Sequence, residues 1–213
     1  MVVQLGKNPW LLIGLIFIEA LFVLAPAFIS SKIEKKSFKE LLSEMGFRKN
    51  EDIYIKIIVG LNIGIIFFFF GDLLILFIRN IIIENIFGSR FIQEGQEGAI
   101  TTMPIQPNVI QIIILILLQI IIIGPCEEAF FRGFLINKIK SNVKIPYLIT
   151  ISSIIFAFYH VPPFLVPLTT IITYFGYYFI FGVLLALIFI YFDYSLIPCT
   201  ITHSLFNILL LLI

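Results

Sequence analysis

Six long apolar runs, separated by shorter polar stretches, set the plan of this chain. They cover about residues 9–30, 56–79, 107–139, 146–160, 168–191 and 198–213. A helix needs about 20 apolar residues to cross the hydrocarbon core of a bilayer. None of the runs shows the strict alternation of a barrel strand. The pattern predicts an all-α, polytopic transmembrane helical bundle. The polar segment 32–52 carries Phe38, Leu41, Leu42 and Met45 at helical spacing, so part of it reads as an amphipathic helix on the membrane surface. Residues 80–106 read as a mixed loop with a short apolar piece, Ile81–Phe87. With no internal repeat and no Pro/Gly/Ser-rich linker, residues 1–213 are treated as one membrane-embedded domain.

Composition agrees with this pattern. The chain is 60% hydrophobic and 13% charged, against about 45–50% and about 25% in a soluble domain. A net charge of +1 without a basic stripe argues against a nucleic-acid partner. The partners expected are membrane lipid and a membrane-borne peptide. Cys126 and Cys199 lie in or beside apolar helices and suggest no disulfide framework. The first run is too long for a signal-peptide core and lacks a small-residue cleavage site, so it reads as a retained helix.

Charge also orients the bundle. Lys32, Lys35, Lys36, Lys39, Arg48, Lys49 and Lys56 fall in the first inter-span loop. Lys138, Lys140 and Lys144 fall in the third, whereas Lys7, Arg79 and Arg90 fall on the opposite side. The positive-inside rule places the lysine-rich loops in the cytoplasm and the protein in the cell membrane, with both termini outside.

Against this background Glu127, Glu128 and Arg132 are costly. A charge at mid-bilayer costs roughly 2.5–3.5 kcal/mol on insertion scales. Glu128 and Arg132 are four residues apart, share a helix face and pair as a structural clamp. Glu127 is turned about 100° away and is free for another task. Gly124-Pro125 should bend the helix or start a new one, which would place both glutamates near a helix N-terminus. Two further motifs hold the only histidines: Phe156-Ala157-Phe158-Tyr159-His160, ended by Pro162-Pro163, and His203-Ser204-Leu205-Phe206-Asn207.

Helical rise places these motifs at one depth. In a hairpin turning near residue 143 or 144, residue 127 faces residue 159 or 161. His203 and Asn207 lie about 10–20 Å from the same side, at about 1.5 Å per residue. The layer therefore holds Glu127, His160, His203 and Asn207. A carboxylate withdrawn from bulk water suits general-base activation of a water molecule, which His160 can help to hold. His203 and Asn207 can donate to a developing oxyanion. The chemistry is hydrolysis of a carbonyl compound such as a peptide bond.

Glu-Glu-x-x-x-Arg, Phe-x-x-x-His and His-x-x-x-Asn, in this order on successive helices, resemble the CAAX protease and bacteriocin-processing family. Its members include the type II CAAX prenyl endopeptidases, which are glutamate-dependent intramembrane proteases. The resemblance covers about residues 105–213, and the run Glu127–Leu135 looks like the family's usual continuation. It implies that Glu127 activates water with His160. It implies an oxyanion site of His203 and Asn207, with Glu128 and Arg132 in support. It also implies a prenylated peptide substrate, no cofactor, and up to eight spans where the runs give six.

Other readings of the same residues stay open. Glu127, His160 and His203 together suit a zinc ion, although no His-Glu-x-x-His helix is present. Cys126 beside Glu127 is a conceivable nucleophile. Intramembrane Glu and His also mark proton relays, but the chain lacks the repeat symmetry of transporters. A non-catalytic immunity or scaffold protein would keep the same polar layer for binding. Glu19 and Asp72 read as structural or span-edge carboxylates.

Overall fold

The computed structural model describes residues 3–4, 9–48, 51–101 and 108–212. Lys7, Lys49 and residues 102–107 lie outside the described residues. Among the described residues eight helices follow in order: α1 (Pro9–Glu34), α2 (Phe38–Glu44), α3 (Ile53–Phe87), α4 (Ser89–Glu97), α5 (Val109–Ile139), α6 (Ile145–His160), α7 (Leu168–Tyr191) and α8 (Leu196–Leu212). A two-residue parallel pairing joins Val3–Gln4 to Ile100–Thr101.

Four helices, α1, α3, α5 and α7, are long and apolar enough to cross a membrane. The apolar helices α6 and α8 have 16 and 17 residues. Both fall short of the about 20 residues that a crossing needs. The expected loop at 80–106 is largely helical. Ile81–Phe87 continues α3 through a π turn at Phe77–Ile83, and α4 follows Gly88, whose φ is 85°. Apolar residues of this segment cover the bundle, with Ile78, Ile83 and Ile92 forming a small cluster of their own.

The expected amphipathic helix is α2. Its Ser37 hydroxyl accepts from the Glu40 backbone N–H, while the Ser37 N–H donates to the Glu40 carboxylate. That second bond holds the Glu40 carboxyl below its ordinary range. Leu41 and Met45 bury against the main core. Lys36 bridges Glu34 and Glu44, and Lys138 pairs with Glu34, so salt bridges lash α1, α2 and α5 together at the lysine-rich end.

The site is positioned by two packing pairs. α6 and α7 run as an antiparallel pair, and α8 lies along α3 while crossing α5. Close approach of α3 to α8 depends on Gly60 and Gly64, a small-x-x-x-small pair. A Cβ at Gly64 would meet Leu205 Cδ2 at 3.0 Å and the Thr202 carbonyl at 3.2 Å. Gly64→Leu should therefore force α8 outward at a cost of about 1–3 kcal/mol. The thermal midpoint of the purified protein in detergent would show this as a clear fall, with Gly14→Leu, at an open position, as the neutral control.

Candidate active site

Pro125 does not end α5. The helix widens into a π turn at Gln119–Ile123, returns to α geometry at Gly124–Glu128, and widens again at Ala129–Ile136. The first π turn accommodates the ring and missing N–H of Pro125 while the backbone stays helical. The glutamates therefore do not sit at a free helix N-terminus, and the dipole argument made for them does not apply. Gly124 lets α5 approach α8 closely. A Cβ there would lie 3.0 Å from the Gln119 carbonyl and against the Ser204 side chain.

α5, α6 and α8 bring the two expected histidines to Glu127. Its Oε2 lies 3.9 Å from Nε2 of His160 and 3.9 Å from Nε2 of His203. Glu127 is 4% exposed, and its Oε2 has no hydrogen-bond partner among the described residues. The imidazoles are fixed from behind by different acceptors. Nδ1 of His160 donates to the Phe156 carbonyl at 2.9 Å. A carbonyl can only accept, so Nδ1 carries a proton and Nε2 is the ring nitrogen that faces Glu127. Nδ1 of His203 bonds Glu128 Oε1 at 2.8 Å. Tyr178 of α7 stacks on the His160 ring, with centroids 4.5 Å apart.

Glu128 and Arg132 form the expected clamp, fully buried. Arg132 Nη1 donates to Glu128 Oε1 at 2.8 Å, and Nη2 donates to the Gly182 carbonyl of α7 at 3.1 Å. Its guanidinium also lies 4.4 Å from the Phe156 ring centroid. One carboxylate oxygen thus serves both Arg132 and His203, and a single cluster ties α5, α7 and α8 to the site.

Asn207 is half-buried, and its amide donates to Gln119 Oε1 at 3.1 Å. An amide has two N–H donors, so this bond orients the group and leaves one to give. Ser204 donates to the Gln119 carbonyl at 2.8 Å. The sequence reading did not single out Gln119. Its signal was a lone amide within an eleven-residue run of isoleucine and leucine, eight residues before Glu127. Cys126 is a free thiol, half-buried, and Cys199 is buried with its thiol on the Leu196 carbonyl. Asp72 is exposed on the outer face of α3. Glu19, by contrast, is buried and accepts from the Tyr159 hydroxyl at 2.6 Å.

A buried carboxylate oxygen and two imidazole nitrogens thus converge inside a bundle of apolar helices, four of them long enough to cross a membrane. Residues 109–209 match the family model described as Rce1-like, type II CAAX prenyl endopeptidase Rce1-like. The likeness carried by the three motifs is thereby shown over that segment, which contains all seven motif residues. The family implies a membrane protease of the CAAX type. No curated protein and no solved structure matches the chain.

Proposed function

We propose that the chain is an intramembrane endopeptidase that hydrolyses a peptide bond of a membrane-associated substrate, of the prenylated CAAX class, by a glutamate-activated water. The observation that carries this reading is the partnerless Glu127 oxygen facing two imidazole nitrogens at 3.9 Å. Such a gap is too long for direct hydrogen bonds and suits one bridging water. The three atoms lie within 4.8 Å of one another, so one oxygen can sit about 2.8 Å from all of them.

In this reading Glu127 takes a proton from the water as the water oxygen attacks the scissile carbonyl carbon. His160 Nε2 accepts the other hydrogen bond and aims the water. Held from behind by Glu128, the His203 ring donates from Nε2 to the oxyanion, and Asn207 supplies its second N–H. Glu127 then returns its proton to the leaving amine as the C–N bond breaks.

The same trio offers the ligand atoms of a divalent cation. Ligands of tetrahedral zinc lie about 3.4 Å apart, closer than the 3.9 Å spacings here. The spacing favours water, so activity on a farnesylated CAAX peptide should survive exhaustive treatment with 1,10-phenanthroline. Loss of activity restored by added zinc would replace the water mechanism with a metal one.

The bundle crosses the cell membrane six or more times in this reading, with α6 and α8 as short crossings and the lysine-rich loops in the cytoplasm. Gln119 acts as a positioning residue for Asn207. Gln119→Leu should lower kcat about tenfold with KM little changed, since the oxyanion donor loses its orientation. An unchanged kcat would remove Asn207 from the chemistry. Protection against a membrane-active peptide that persists in Glu127→Gln would favour the non-catalytic immunity reading over hydrolysis.

A further inference from the structure

Glu19 stands outside the segment that matches the family, on α1, yet it reaches the active centre. It is 4% exposed. Its Oε1 accepts from the hydroxyl of Tyr159, the residue before His160, at 2.6 Å. Its Oε2 is enclosed and has no hydrogen-bond partner among the described residues. α1 packs against the stretch of α5 that carries Glu127, and Glu19 lies within electrostatic reach of both Glu127 and Cys126. Phe22, one turn further along α1, packs edge-on against Tyr159 with centroids 5.0 Å apart, so the Glu19–Tyr159 contact sits on a fixed aromatic base.

A buried acceptor with nothing to accept from is costly, and native proteins rarely keep one without a use. Tyr159 satisfies one oxygen and thereby holds the carboxyl in a single orientation. The other oxygen has no donor among the described residues, and a bound peptide can supply one. An extended peptide whose scissile carbonyl is placed at the Glu127 water presents backbone N–H donors on either side of that carbonyl. A membrane-embedded peptide has no water to satisfy those N–H groups, so an enclosed carboxylate acceptor is worth more to it there than in solution.

Resting on the hydrolase reading above, we propose that Glu19 is a substrate-binding residue whose Oε2 accepts a hydrogen bond from a backbone N–H flanking the scissile bond. This makes α1 a wall of the peptide site and gives the part of the chain before the family match a role in choosing the substrate.

The test is a cycle between protein and substrate. The probes are a fluorescent farnesylated peptide ending in Cys-aliphatic-aliphatic-X and two analogues. Each analogue has one flanking backbone N–H replaced by an ester oxygen, with the scissile amide intact. The kcat/KM is measured for wild type, Glu19→Gln and Glu19→Ala. The wild type should lose about 10- to 100-fold on one ester analogue, the range of a hydrogen bond to a charged group. Glu19→Gln keeps an oxygen for Tyr159 and turns its amide N–H groups toward the substrate. It should lose a similar factor on the amide peptide and show no further loss on that ester analogue. Losses that simply multiply, for both analogues, would overturn the role of Glu19 while leaving hydrolysis intact. Glu19→Gln, being isosteric, keeps the test alive if Glu19→Ala fails to fold. Binding of the same probes to Glu127→Gln protein, followed by fluorescence anisotropy, repeats the cycle without turnover. A wild type that binds the peptide without cutting it sinks the hydrolase reading alone. One that neither binds nor cuts it sinks both.

Discussion

Glu127→Gln should abolish cleavage of a farnesylated CAAX peptide, lowering kcat by about 10³-fold or more while the protein still inserts and unfolds at its usual temperature. The variant keeps the shape of the side chain and removes its capacity to take a proton. General-base catalysis alone accounts for about 10²–10⁴-fold in typical enzymes. The stability half of this expectation follows from the geometry. Oε2 of Glu127 bonds no other group among the described residues, so the fold loses no hydrogen bond to it. His160→Ala should be comparably inactive. Its removal also frees the Tyr178 ring, so a modest loss of stability accompanies it. Unimpaired turnover by purified Glu127→Gln would remove hydrolysis by this site from consideration.

The second large effect is on the fold. Arg132→Ala should destabilise the protein by about 3–5 kcal/mol, because it leaves the fully buried Glu128 carboxylate without its cation. In a chain of this size that corresponds to a fall of roughly 6–20 °C in the thermal midpoint. Arg132→Lys should not rescue it, since an ammonium cannot span Glu128 Oε1 and the Gly182 carbonyl as the guanidinium fork does. The double variant Glu128→Leu with Arg132→Met should recover most of the stability, as apolar replacements of buried ion pairs often do. It should remain inactive, because Nδ1 of His203 loses the carboxylate that orients it. Recovery of activity together with stability would show that the cluster serves packing alone. Circular dichroism melts and turnover of the same preparations separate the two outcomes.

Much of the site was legible because the residues that compose it are out of place in their surroundings. Charged and imidazole side chains stand out in runs of isoleucine and phenylalanine, and helical rise converts their spacing into depth. The hairpin turning near residue 143 put Glu127 opposite His160, and the two meet at 3.9 Å. The Glu128–Arg132 pairing followed from a four-residue spacing and holds even though the helix there is wound in π geometry. That same geometry was not legible. Proline marks a break or a bend in a sequence, and nothing local says that α5 would absorb Pro125 in a π turn and continue.

Glu19 and Gln119 were harder to read for a different reason. Each is a single polar residue in an apolar run, which commonly marks a span edge or an interhelical bond. Only the packing of α1 and α8 onto α5 brings Glu19 to Tyr159 and Gln119 to Asn207. The stretch 80–106 reads as loop from its mixed polarity, yet α3 continues to Phe87 and α4 packs on α7. Helix α4 is amphipathic but short and polar on average, and its one buried face, with Ile92 and Gly95, is what packs on α7.

The most direct test is a crystal structure of the protein in lipid, at about 1.8 Å resolution, with anomalous data collected across the zinc edge. A solvent oxygen about 2.8 Å from Glu127 Oε2, His160 Nε2 and His203 Nε2, without anomalous signal, is the predicted result. A zinc peak at that point, or a dry contact of Glu127 with either imidazole, would contradict it.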